Sequence, residues 1–199
     1  RTLDYEANRQ GTLDVISYSK NGRHPGADRL LGFDLADREN TTEPSDFSEL
    51  VNISREAGLG ITVHSGEDTD ASGVQKTLEV LNPDRIGHGV NAWQDMQVVE
   101  MLKERDVLLE LCPTSNWLTQ CVPVLAEHPL PDFYRAGVKV SINSDDPQLM
   151  DIDLTNEYEV AEKYYGFNNE DFRKMNLYAL EKSFLPDDIT GKIRKTHFL

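Results

Sequence analysis

Five short apolar runs, each closing on a cluster of polar side chains, constrain the fold of this chain more than any other feature. They occupy residues 30–35, 59–63, 85–87, 107–111 and 138–142 and read as strands. Helix-like stretches lie between them. Phe47, Leu50, Val51 and Ala57 fall at helical spacing behind Ser45 as the expected cap, with Gly58 as the stop. Val74, Leu78 and Leu81 form a second apolar face, and Met96, Val99 and Leu102 a third. Strands apolar on both faces, alternating with helices, imply α/β architecture with a parallel sheet covered by helices. After Pro147 the strands stop, and residues 154–165, 170–183 and 186–196 are expected to be helices packed outside the sheet or across one end. Residues 22–26, with His24 and Pro25, read as a loop ahead of the first strand. No linker or low-complexity segment divides the chain, so residues 1–199 are expected to form a single domain.

Five βα units fit either an open doubly wound sheet or part of a closed (β/α)8 barrel. The polar residues bear on that choice. Asp34 ends the first run, His64 and His88 follow the second and third, Cys112 to Asn116 follow the fourth, and Asp145-Asp146 follow the fifth. A barrel gathers all these strand ends on one rim, whereas an open sheet gathers only those near its switch point.

Each cluster has a plain and a chemical reading. His64 is either a hydrogen-bonded structural histidine or a ligand; Gly66 permits a tight turn that would bring Glu67 back toward the same centre. His88 lies between Gly87 and Gly89, which mark close approach by a ligand or a cramped corner. Asp145-Asp146-Pro147 is a helix-capping turn or a pair of carboxylates neutralised by a cation. Together His64, His88 and Asp145 offer nitrogen and oxygen donors that suit zinc, with Glu67 as a proton carrier. A catalytic zinc needs about three protein ligands. The other histidines, His24, His128 and His197, form no His-x-His pair and are expected to be structural. Cys112 and Ser115 show no nucleophile signature; Cys112 precedes a proline at a strand end and is not expected at a helix N-terminus.

Composition excludes several other classes. With 20 Lys plus Arg against 35 Asp plus Glu, the formal charge is −15, so the chain repels phosphate backbones and anionic membranes. Neither Gly-x-Gly-x-x-Gly nor a Walker loop is present. Two cysteines without C-x-x-C spacing permit a reducing compartment, and a cytoplasmic location is expected.

The motifs Gly32-Phe33-Asp34-Leu35-Ala36, Val63-His64-Ser65-Gly66-Glu67, Arg85-Ile86-Gly87-His88-Gly89, Leu111-Cys112-Pro113-Thr114-Ser115-Asn116 and Ser141 to Pro147 occur in this order. In that order the chain resembles the C-terminal part of the adenosine deaminases, metal-dependent amidohydrolase barrels. The resemblance implies a (β/α)8 barrel of the metal-dependent hydrolase type, here as its C-terminal five βα units plus C-terminal helices. It implies one zinc per subunit, with His64 and Asp145 as ligands. Glu67 would deliver a proton to purine N1, and His88 would orient and deprotonate the zinc-bound water. Asp146 would meet N7, and Gly66 and Asp37 complete the substrate-binding set. The implied reaction is hydrolytic deamination of adenosine or deoxyadenosine to inosine or deoxyinosine and ammonia. The alternatives are an adenine or other 6-aminopurine deaminase and, in a different class, a non-catalytic relative that binds a nucleoside or a protein. The sequence departs from the family pattern at three points: it lacks the His-x-His pair, Asp37 stands where the family has glycine, and Ser65 replaces alanine. A preceding segment carrying the remaining strands and that pair is therefore an expected partner of these residues, since five of eight strands leave two unpaired edges.

Overall fold

A computed structural model of the protein describes residues 5–21, 26 and 29–199; His24 lies outside the described residues. The elements are α1 (Tyr5–Asn21), β1 (Gly32–Leu35), α2 (Ser48–Glu56), β2 (Gly60–Ser65), α3 (Ala71–Leu81), β3 (Arg85–His88), α4 (Met96–Glu104), β4 (Leu108–Leu111), α5 (Pro113–Leu118), α6 (Leu130–Ala136), β5 (Lys139–Ile142), α7 (Pro147–Met150), α8 (Leu154–Tyr165), α9 (Asn169–Glu181) and α10 (Asp187–His197). The strands form one parallel sheet in the order β1-β2-β3-β4-β5. Chain order equals spatial order, so the sheet has no switch point. That is the wall of a barrel and not a doubly wound sheet.

Period-two alternation divides each strand between two environments. Leu35, Val63, Ile86, Leu109 and Val140 share one level of the register and one face. They are buried against helices: Leu35, Ile61 and Val63 pack with Phe47, Leu50 and Val51. Ile86, Leu109, Leu111, Val140 and Ile142 pack with Val74, Leu78, Val99, Leu102 and Phe133. The opposite face is polar. There Thr62 Oγ1 donates to Glu110 Oε2 at 2.7 Å, and Arg85 Nε lies 3.2 Å from Glu110 Oε1. Phe184, beyond α9, closes the lower end of this face. A Cβ at Gly60 would stand 2.1 Å from its ring, and one at Gly32 2.4 Å. The Arg85 guanidinium lies over the same ring, 4.0 Å from its centroid.

Several local expectations are corrected. Ser45 does not cap α2: Pro44–Phe47 form a 3-10 turn first, and Glu43 and Asp46 exchange a capping box ahead of it. Proline at the first position of that turn moves the start upstream. Met96 is exposed, and Val98 takes its place beside Val99 and Leu102. Asp70 and Asp153 lie one residue before α3 and α8, where their carboxylates cap backbone N–H groups. Among the described residues, no helix is long and apolar enough to cross a membrane.

Candidate active site

Four of the five strands leave the sheet through, or one to three residues before, a residue in the left-handed region: Asp37 (φ 77°), Gly66 (83°), His88 (64°) and Asp145 (59°). For non-glycine residues that conformation costs about 1 kcal/mol or more, and such backbone strain clusters at functional sites. Its effect is to turn each chain sharply at the rim. Asp37 holds a positive φ that glycine adopts more readily.

His64, His88 and Asp145 line one cavity of ≈ 370 Å³, with Gly87, Glu110 and Cys112 at its base. The His64 and His88 rings meet edge to face, 4.9 Å between centroids. Gly87 makes that possible, because a Cβ there would lie 2.8 Å from the His64 ring. His64 Nε2 is 3.4 Å from Asp34 Oδ2. Burial disfavours the His64 imidazolium, but the Asp34 hydrogen bond and the charges of Asp34, Asp145 and Glu67 outweigh it, so its pKa rises above the ordinary histidine range.

Glu67 lies beside His88. Its Oε2 is 3.3 Å from His88 Nε2, and its Oε1 accepts from Thr119 Oγ1 at 3.0 Å and Asn116 Nδ2 at 3.5 Å. The loop carrying it is clamped on two sides. Asn91 Nδ2 donates to the carbonyls of Thr69 (2.9 Å) and Glu67 (3.3 Å). From the other side Glu39, 5% exposed, accepts from the N–H groups of Gly66 (2.6 Å), Glu67 (3.0 Å) and Asp68 (3.4 Å) and from Thr69 Oγ1 (2.5 Å). Asp145 Oδ2 accepts from the buried Ser115 Oγ at 2.7 Å.

Ligand atoms of His88, Cys112 and Asp145 also lie within 4.8 Å of one another, among the described residues. Cys112 is in fact the residue before α5, contrary to the sequence expectation, yet the short helix does not lower its pKa. Burial first, and then Asp145 and the other carboxylates around it, push the thiol well above its ordinary range. The thiol donates to the Glu110 carbonyl at 3.6 Å.

The structure therefore gathers His64, His88, Asp145, Glu67 and Gly66 at one end of the sheet. Asp37 and Asp146 are exposed at the ends of β1 and β5 and are not among the residues lining the cavity. Glu39, Asn116, Thr119 and His128 join the network without having been singled out by spacing. His128 is buried and bonded to Asn116 at 3.1 Å, a structural histidine that nonetheless reaches the site through that amide.

Residues 24–196 match the family profile described as adenosine deaminase. Over 172 residues the chain is 39% identical to an adenosine deaminase of Plasmodium gallinaceum, covering 85% of this chain and 47% of that protein. Over 181 residues it is 39% identical to an adenine deaminase of Rhizobium meliloti, covering 91% and 55%. The crystal structure of an adenine deaminase from Arthrobacter aurescens superposes with a TM-score of 0.83 at 30% identity, over 94% of this chain and 56% of that one. An amidohydrolase from Burkhoderia ambifaria, described with bound Zn, shares the fold at 22% identity and TM-score 0.81, over 94% of this chain and 52% of that one. The chain spans about half the length of the curated relatives it matches.

Proposed function

This chain belongs to the adenosine deaminase family, and on that premise we propose that its rim is the proton-handling side of a hydrolytic 6-aminopurine deaminase, acting on adenosine or deoxyadenosine. The observation that carries this reading is the convergence of His64, Asp145 and the Glu67–His88 pair on one end of the sheet. Water adds at the amino-bearing carbon of the purine and ammonia leaves, giving the 6-oxopurine.

The donor set fits zinc as part of a site. His64 and Asp145 offer one nitrogen and one carboxylate in the same cavity. About three protein ligands are required, so a further source of histidine, the His-x-His pair implied by the resemblance, is part of the proposal. When bound, zinc activates water at neutral pH and stabilises developing negative charge.

The remaining steps belong to this chain's own side chains. Glu67 is held by Thr119 and Asn116 with one carboxylate oxygen near His88, placed to carry a proton to a ring nitrogen and so draw electron density from the reacting carbon. Ser115 fixes the orientation of Asp145. Asp37 stands where the resemblance implies contact with the base, and its φ of 77° is one that glycine adopts freely. Asp146, next to Asp145 in the chain, is the residue the resemblance implies at purine N7. An adenine deaminase is the second reading, because relatives of both activities match at 39% identity and these residues address the base and not the sugar.

The test uses the full-length, zinc-loaded protein with adenosine, deoxyadenosine and adenine as substrates. Glu67→Gln should keep zinc and purine binding and lose about 100-fold or more in kcat; Asp145→Ala should lose the metal. Near-normal turnover in Glu67→Gln would overturn the proton-carrier role. A full-length protein without zinc or turnover would favour a binding relative.

A further inference from the structure

Behind the rim lies a line of hydrogen bonds whose direction is set at its far end. His128, 1% exposed, follows a 3-10 turn and receives the Leu130 backbone N–H at its Nδ1, 3.0 Å away. An amide N–H only donates, so this nitrogen carries a lone pair. Burial, and then the charge of nearby His88, push the His128 pKa down to about 3, so the ring is neutral and its proton sits on Nε2. That N–H faces Asn116 Oδ1 at 3.1 Å. The oxygen of the Asn116 amide is thereby turned toward His128 and its NH2 group toward His88 Nδ1, at 3.1 Å. The amide cannot be reversed, because its NH2 would then face another N–H.

We propose that Asn116 and His128 are positioning residues that fix the tautomer of His88, leaving Nδ1 bare and placing the proton of the neutral ring on Nε2. This nitrogen lies 3.3 Å from Glu67 Oε2, and the His88 ring lines the cavity. His88 then meets the reaction centre as an N–H donor, able to stabilise negative charge on the attacking oxygen or on Glu67. While neutral, it has no lone pair there with which to take a proton from water. The deprotonating role implied for it by resemblance is replaced by an electrostatic one. Significance for turnover rests on the deaminase reading above; the tautomer itself does not.

The experiment is 15N NMR of the full-length, zinc-loaded protein labelled at histidine, in which couplings to ring protons show which nitrogen of each imidazole is bare. His88 and His128 should both have bare Nδ1 and protonated Nε2. Asn116→Asp places an acceptor against His88 Nδ1 and should move the His88 proton to that nitrogen. It should also lower kcat about 10-fold or more with little change in KM or zinc content. A His88 with protonated Nδ1 in the unaltered protein would overturn the proposal, whatever the fate of the variant. So would Asn116→Asp with an unmoved His88 signal. The expected tautomers in a protein that turns over no 6-aminopurine would support the relay and refute the deaminase reading.

Discussion

Replacing Glu39 by glutamine tests whether the loop bearing the proton carrier is held by a buried charge. The carboxylate accepts from three backbone N–H groups and the Thr69 hydroxyl, with Oε2 serving Gly66 and Thr69 and Oε1 serving Glu67 and Asp68. Glutamine keeps one oxygen and puts an NH2 group where the other stood. Thr69 can reverse its hydroxyl, but a backbone N–H cannot, so either Gly66 or Glu67 is left facing a donor. An unpaired buried donor costs about 1–3 kcal/mol, and the surviving bonds lose their charge assistance, about 1 kcal/mol more. The expected loss is therefore about 2–4 kcal/mol. The matched control is Glu43→Gln, which loses the exposed 3.3 Å pair with Lys76 while its amide oxygen can still accept in the capping box, and should cost less than about 1 kcal/mol. Urea denaturation of the full-length variants gives the difference as a shift in midpoint at constant slope. Because Glu67 rides on the same loop, Glu39→Gln should also lower kcat about 10-fold or more at unchanged zinc content. If Glu39→Gln and Glu43→Gln were indistinguishable in both measurements, the clamp would have no energetic content.

Gly87→Ala puts a methyl 2.8 Å from the His64 ring and should weaken zinc binding about 10-fold or more, read by competition with a chelator, since a ligand must be held within a few tenths of an ångström. For His128 the pH effect has a definite sign. The unfolded chain takes up a proton below about 6.5 and the folded one not until about 3, so stability rises with pH across that window, by about 1.4 kcal/mol per unit. His128→Gln should be less stable at pH 7 yet lose less between pH 6 and 4.5; parallel curves would contradict the burial argument. Cys112, and Cys121 with its thiol pushed up to about 12 mainly by burial, should resist iodoacetamide at pH 8 in the folded protein and react in urea.

The strands were legible because an apolar run on a two-sided wall leaves a mark in the sequence, and their polar terminations foretold the rim. His64 and His88 could be named because each follows a run directly, and Glu67 and Asp145 because they lie four and three residues beyond one. What spacing does not encode is contact between loops far apart in the chain. Glu39 reaches residue 66 and Asn116 reaches residue 88 only once the wall has curved. His128 had no periodic signal at all; its partner is a backbone N–H two residues later and an amide twelve residues earlier. Cys112 at the head of α5 was missed for a local reason, since Pro113 reads equally as a breaker and as the first residue of a helix.

The ring of Phe184 occupies the space that side chains at positions 32 and 60 would need. Those three positions, scattered over the chain, make a single steric lock. A substitution at either glycine should be tolerated only together with a smaller residue at 184, and in any set of functional variants the three should drift as one unit.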